Sequence, residues 1–144
     1  MTRPVTKAVG VDLGSRRIGI AVSDATGTLA FPRPFVERHK ERALDHQAIA
    51  AVVEEVGAAV VVVGLPLSLD GSRGPAARAA EEEAEALAAV LAMYGVRVET
   101  FDERLTTVTA EVALGSAGAG GRQRRMRVDS AAAAVLLQSW LESR

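Results

Sequence analysis

The run Ala58-Ala59-Val60-Val61-Val62-Val63 is apolar at every position and β-branched at the last four. A strand with one wet face alternates apolar and polar residues. A run without that alternation belongs to a strand covered on both faces, as in a parallel sheet flanked by helices. The neighbouring segments agree. Upstream, Ile49, Val52, Val53 and Val56 recur at helical spacing behind Asp45, the expected N-cap, and stop at Gly57. Downstream, Gly64-Leu65-Pro66 and a polar loop lead into an alanine-, leucine- and glutamate-rich helix from Pro75 to Tyr94, closed by Gly95. The valine run is therefore expected at the centre of the sheet.

The remaining segments fill out the same architecture. Lys7 to Leu13 and Ile18 to Ser23 are β-type runs joined by a turn at Gly14-Ser15-Arg16-Arg17, which predicts a hairpin. Thr28 to Val36 contains Pro32 and Pro34, which withhold backbone donors and suit an edge strand. Together these three segments predict an antiparallel meander. Val96 to Phe101 reads as a further strand, followed by a short helix capped by Thr106 or Thr107 and running through Leu114. Residues 115–127 hold four glycines and four arginines and predict a mobile basic loop, and a last helix runs from near Asp129 to Glu142. There is no internal repeat. With 144 residues, 49% hydrophobic and 24% charged, residues 1–144 read as one α/β domain.

Composition excludes several chemistries. The chain has no cysteine, so a disulfide framework, a thiolate zinc site and a cysteine nucleophile are all ruled out. The N-terminus has neither the apolar core of a signal peptide nor a membrane-length apolar stretch, which predicts a cytoplasmic protein without membrane association. A formal net charge of -1 gives no argument for a polyanionic partner, but its distribution is uneven. Residues 1–40 carry seven basic side chains against three acids, while Glu81, Glu82, Glu83 and Glu85 concentrate negative charge on one helix. That pattern predicts a basic face opposite an acidic helix.

Three carboxylates fall where elements converge. Asp12 closes the first strand, Glu103 follows the last strand and Asp129 opens the last helix. Ligand sites of open α/β sheets gather at the carboxyl ends of the parallel strands, so a common site is geometrically available. Clustered carboxylates repel one another and are stabilised by divalent cations or by raised pKa values. With no thiol and no histidine at ligand spacing, oxygen-preferring Mg²⁺ or Mn²⁺ is the expected ion. Each acid also has a structural alternative: a turn acceptor for Asp12 and an N-cap for Asp129. Strand alternation lets only one of Asp102 and Glu103 point into a given site.

Arg122, Arg124, Arg125 and Arg127 stand without a compensating acid just before Asp129, an arrangement suited to phosphate neutralisation. Gly14 and Gly19 flank a turn, serving either hairpin geometry or close approach of a phosphate. His39 and His46 read as isolated, with no paired nucleophile. Tyr94, Phe101 and Trp140 read as packing residues, and 3% aromatic content argues against a base-stacking platform.

Four motifs in order resemble the YqgF/RuvX family, described both as Holliday junction resolvases and as pre-16S rRNA nucleases. They are Val11-Asp12-Leu13-Gly14-Ser15-Arg16-Arg17-Ile18-Gly19 through Asp24, Val63-Gly64-Leu65-Pro66 with Asp70-Gly71-Ser72, Asp102-Glu103-Arg104-Leu105-Thr106-Thr107, and Val128-Asp129-Ser130 through Gln138. The resemblance implies an RNase H-like fold, a five-stranded mixed β-sheet flanked by helices on both faces. It implies that Asp12, Glu103 and Asp129 are the catalytic, metal-binding acids, holding two Mg²⁺ or Mn²⁺ ions for in-line attack of water on a phosphodiester. Arg16, Arg17, Arg104 and the four loop arginines would contact nucleic acid, with Gly14 and Thr106 in support. The loop before Asp129 departs from the family in its richness in glycine and alanine.

Two other classes compete. Asp12-Leu13-Gly14-Ser15 with Ile18-Gly19 also resembles the first phosphate loop of actin- and Hsp70-like ATPases, but those need two lobes and this chain has residues for one. A non-catalytic RNA- or ribosome-binding module would not need all three acids. Pre-16S rRNA and branched DNA both remain open as substrates, because phosphates and shape would carry recognition of either. A homodimer would suit paired cuts in a junction and a monomer single cuts in RNA, with ribosomal particles as further partners.

Overall fold

The computed structural model describes residues 7–106 and 130–144. Five strands, β1 (Ala8–Leu13), β2 (Arg17–Ser23), β3 (Ala30–Glu37), β4 (Val60–Leu65) and β5 (Arg97–Asp102), form one sheet in the order β3-β2-β1-β4-β5. The β1–β2 and β2–β3 pairs are antiparallel, giving the expected meander, and β1–β4 and β4–β5 are parallel. The strand carrying Pro32 and Pro34 is an edge, and the valine strand β4 lies between β1 and β5, buried at every position. Helices α1 (Arg42–Val56), α2 (Pro75–Leu91) and α3 (Ala131–Glu142) cover the two faces.

Strand alternation divides the core into two layers. Val9, Val11, Ile20, Val61 and Val63 face α1 and α2, where Ile49, Val53, Leu87 and Leu91 pack. Ala8, Ala21, Val60 and Val62 face α3 through Ala133, Leu136, Leu137 and Trp140. The second layer is thinner because Gly10 has no side chain. A Cβ there would lie 2.8 Å from Leu137 Cβ and 3.0 Å from the Ala133 carbonyl oxygen, so α3 rests directly on the β1 backbone.

Several local expectations are corrected. Helix α1 begins at Arg42, and its N-cap is Glu41, which makes no side-chain capping bond. Asp45 is not the cap: it lies inside the first turn, fully buried, where it accepts from the His39 amide at 2.8 Å and from Arg38 at 3.2 Å. A carboxylate with donors supplied by the incoming chain needs no exposed capping position. His46 is not isolated either; it is buried and bonds Glu83 at 3.1 Å. Nor does Glu83 belong to a solvated acidic face, since the i+3/i+4 spacing that buries Ala80, Ala84 and Leu87 turns it inward. The α-helical part of the 75–94 segment ends at Leu91, and Ala92–Tyr94 tightens into a 3₁₀ turn before Gly95 in the left-handed conformation. The expected helix through Leu114, the basic loop 115–127 and Asp129 lie outside the described residues. Among those described, no helix is long and apolar enough to cross a membrane.

Candidate active site

The carboxyl ends of β1, β4 and β5 point to the same edge of the sheet, because the three strands are mutually parallel. Val11 pairs with Val63 and Gly64 with Phe101, so Asp12, Gly64 and Phe101 stand in one row across the sheet. Asp12 alternates with Val11 and faces the α3 side. Beyond Asp102 the chain turns into a short 3₁₀ helix, Glu103–Leu105, which swings Glu103 back over the end of β4. A Cβ on Gly64 would collide with the Glu103 carboxylate. The absence of a side chain at position 64 is what lets Glu103 cross β4 and share a hydrogen bond with Asp12.

Both carboxyls are half-buried, and both are held above the ordinary carboxylate range. For Asp12 the cause is burial, opposed in part by the hydrogen bond from Glu103. For Glu103 burial again comes first, followed by the repulsion of Asp12 and the proton-retaining bond between them, with Asp102 adding to it. Two half-buried oxygen donors that repel one another fit a hard divalent cation, which would relieve the repulsion.

Local hydrogen bonds fix each acid. Asp102 and Glu103 diverge as alternation requires: Asp102 accepts from the Arg104 amide at 2.9 Å and from its guanidinium at 2.7 Å, while Glu103 goes to Asp12. Thr106 closes the 3₁₀ turn, its hydroxyl donating to the Glu103 carbonyl at 2.9 Å. On the other side, Ser130 is fully buried and accepts from the Ile20 amide at 3.1 Å. Ile20 is free to donate there because β2 breaks register between Ile18 and Ile20, next to Gly19, the partner of Asp12. The start of α3 is therefore pinned beside Asp12. Asp129 itself lies outside the described residues, and among those described no group of three or more metal-ligating side chains occurs.

The basic residues separate. Arg16 and Arg17 are exposed on the β1–β2 turn, and Arg17 lies over the Phe35 ring at 5.0 Å from its centroid. Arg104 is committed to Asp102 and donates to the Leu69 carbonyl at 3.2 Å, so it braces the β4–α2 loop. Arg122, Arg124, Arg125 and Arg127 lie outside the described residues.

A groove of about 400 Å³ runs from the acid pair along Gly14, Ala76 and Ala80 to Arg38 and Arg42. Arg38, Arg42 and Glu83 were not among the residues expected at the site. They lie far apart in sequence, and no spacing rule connects them. Gly64 was noted only as part of a motif; its steric role appears when Glu103 is seen above it.

A five-stranded mixed sheet in this order, covered by helices on both faces and carrying acids at the ends of β1 and β5, is the RNase H-like fold of the resolvase nucleases. Solved structures show the same fold. RuvC of T. thermophilus in complex with a Holliday junction substrate superposes with a TM-score of 0.60 over 96% of both chains at 16% identity. The yeast mitochondrial Holliday junction resolvase Ydc2 gives a TM-score of 0.52 over 98% of this chain and 80% of that one, at 11% identity.

The model of the RuvX family, described as Holliday junction resolvase, matches residues 6–143, and the chain belongs to that family. A relative from Anaeromyxobacter sp. (strain Fw109-5) is 48% identical over 136 residues, covering 94% of this chain and 96% of its own length. One from Rhodococcus jostii (strain RHA1) is 47% identical over 141 residues, covering 96% and 78%. Both are named as candidate pre-16S rRNA nucleases. Family and fold together make the protein a nuclease, a hydrolase of phosphodiester bonds.

Proposed function

We propose that the protein matures the 5′ end of pre-16S rRNA, cutting a phosphodiester at the acid pair. The observation that carries this reading is the Asp12–Glu103 contact across Gly64, which holds two carboxylates together at the sheet edge. Asp12 and Glu103 would hold Mg²⁺ or Mn²⁺, with Asp129 as the third ligand on the residue preceding the pinned Ser130. Bound there, divalent metal would supply an activated water and charge neutralisation at the scissile phosphate. The chain's own part is geometric. Gly64 leaves room for Glu103, Thr106 closes the turn that carries it, and Gly14 lets the β1–β2 turn after Asp12 close tightly.

Arg16, Arg17, Arg104, Arg122, Arg124, Arg125 and Arg127 are proposed to position phosphates, consistent with recognition through backbone and shape. The names of the relatives favour RNA, and this reading carries with it a cytoplasmic location and ribosomal particles as partners. The family description favours a second reading, resolution of branched DNA by a homodimer.

The two are separated by cleavage assays with Mn²⁺ and Mg²⁺ on a precursor rRNA fragment, a single-stranded RNA of unrelated sequence, duplex DNA and a four-way junction. Metal-dependent cutting of the precursor fragment in preference to the junction is expected. Preference for the junction, with a dimer in solution, would replace RNA maturation by resolution.

A further inference from the structure

Next to the acid pair, the groove ends on a buried ionic network that the phosphodiester chemistry does not use. Arg38, just after β3, is its centre. Its backbone amide donates to the Arg16 carbonyl at 2.9 Å and its Nε to the Gly14 carbonyl at 2.9 Å, so one residue grips both sides of the β1–β2 turn. Its guanidinium is anchored in turn: two bonds to Glu83 at 2.6 and 2.9 Å and one to Asp45 at 3.2 Å. Glu83 also accepts from Arg42 at 3.0 Å and bonds the His46 ring at 3.1 Å, and Asp45 bonds the His39 ring at 2.8 Å. Asp45, Glu83 and His46 are 0%, 4% and 4% exposed.

Stability alone is a weak account of such a network. Desolvating several ions costs about as much as their attraction gives, and well-packed apolar residues often serve a core as well or better. What the network does achieve is a fixed position for the turn. Gly14, whose amide donates to the Asp12 carbonyl at 3.0 Å, cannot carry a side chain because a Cβ would strike the Arg17 carbonyl. The turn is therefore tight, begins at Asp12, and is clamped from α1 and α2 through one guanidinium.

We infer that Arg38 is a positioning residue for Asp12, holding the Gly14 turn on a platform of Glu83 and Asp45 so that the Asp12 carboxylate meets Glu103 in register. The inference rests on the reading of Asp12 as a metal ligand. Outer residues that orient metal ligands typically change affinity or turnover by about 10–100-fold when removed, and that is the effect expected of Arg38.

The test compares Arg38→Met, which keeps the stem and the backbone bond to Arg16 but loses every side-chain donor, with Arg38→Lys, which keeps one cation, in the full chain. Mn²⁺ affinity by calorimetry, kcat and KM for cleavage, and ¹⁵N relaxation of Gly14 and Ser15 are measured on each. Arg38→Met is expected to lose about 10–100-fold in Mn²⁺ affinity and kcat with KM little changed, and its turn amides to gain motion. Arg38→Lys is expected to recover part of all three. If Arg38→Met does not fold, Glu83→Gln carries the same comparison, since it keeps the shape and removes the charge that anchors Arg38. A variant that melts earlier yet keeps kcat, Mn²⁺ affinity and an ordered turn would reduce Arg38 to a structural residue. If the wild type neither binds Mn²⁺ nor cuts, the metal-site reading fails, and the relaxation data alone decide whether Arg38 holds the turn.

Discussion

Glu103 reaches Asp12 only by passing over Gly64, where a side chain would occupy the position of its carboxylate. The contact joins the ends of β1 and β5 across β4 and makes a glycine part of the site without any chemistry of its own. It also makes the site sensitive to a single methyl group. Gly64→Ala adds a Cβ that meets the far end of a flexible side chain, so the fold can yield at small cost while Glu103 is displaced. Cleavage is expected to fall at least about tenfold, the scale of a disturbed ligand set, with a thermal midpoint close to that of the wild type. Unchanged turnover in a folded Gly64→Ala protein would mean that Glu103 works from another position.

The acid pair also sets a pH dependence. Both carboxyls are raised in the folded chain, Asp12 chiefly by burial and Glu103 by burial and the repulsion of Asp12. The native state therefore binds protons more tightly than the unfolded chain. Stability from the pair is fully present below the ordinary carboxylate values and is lost as pH rises through the raised ones. In EDTA at neutral pH, Asp12→Asn is expected to melt above the wild type, having lost a repulsion. With Mn²⁺ the wild type is expected to gain and the variant not. Melting curves with and without metal check both signs.

The Arg38 platform behaves in the opposite sense. Burial alone would raise Asp45 and Glu83, but the His39 amide and ring with Arg38 for the first, and Arg38, His46 and Arg42 for the second, bring both below their ordinary values. Their contribution is present above the ordinary carboxylate range and is lost as pH falls through the lowered values. Urea midpoints followed from neutral pH downward should fall in that acid range. Glu83→Gln should lower the neutral midpoint and flatten the acid limb.

Ser130 ties α3 to the β2 bulge. Ser130→Ala leaves the buried Ile20 amide without its acceptor and is expected to cost about 1–3 kcal/mol, measurable by urea unfolding. Cleavage should fall as well, because the residue before Ser130 is the proposed third ligand. A stable but inactive Ser130→Ala would show that the two effects separate.

Much of this architecture follows from local pattern. The unbroken valine run of β4 announces a strand covered on both sides, and the prolines of β3 announce an edge, because burial and missing donors act within a few residues. Asp12 and Glu103 were legible as strand-end acids for the same reason. Asp45, His46 and Glu83 were misread, because each is a polar residue whose partners come from other elements. Arg38 finds Glu83 across 45 positions, and nothing in the intervening chain marks the pairing. Gly64 shows the same limit: its role is a distance to a side chain on another strand.

The most direct test of the account is Mn²⁺ binding and cleavage measured on the same samples of wild type, Asp12→Asn and Glu103→Gln, with the precursor rRNA fragment as substrate. The expected result is stoichiometric Mn²⁺ binding and metal-dependent cutting by the wild type, and loss of both in each folded variant. Either variant cutting at the wild-type rate would remove that carboxylate from the reaction and contradict the site described above.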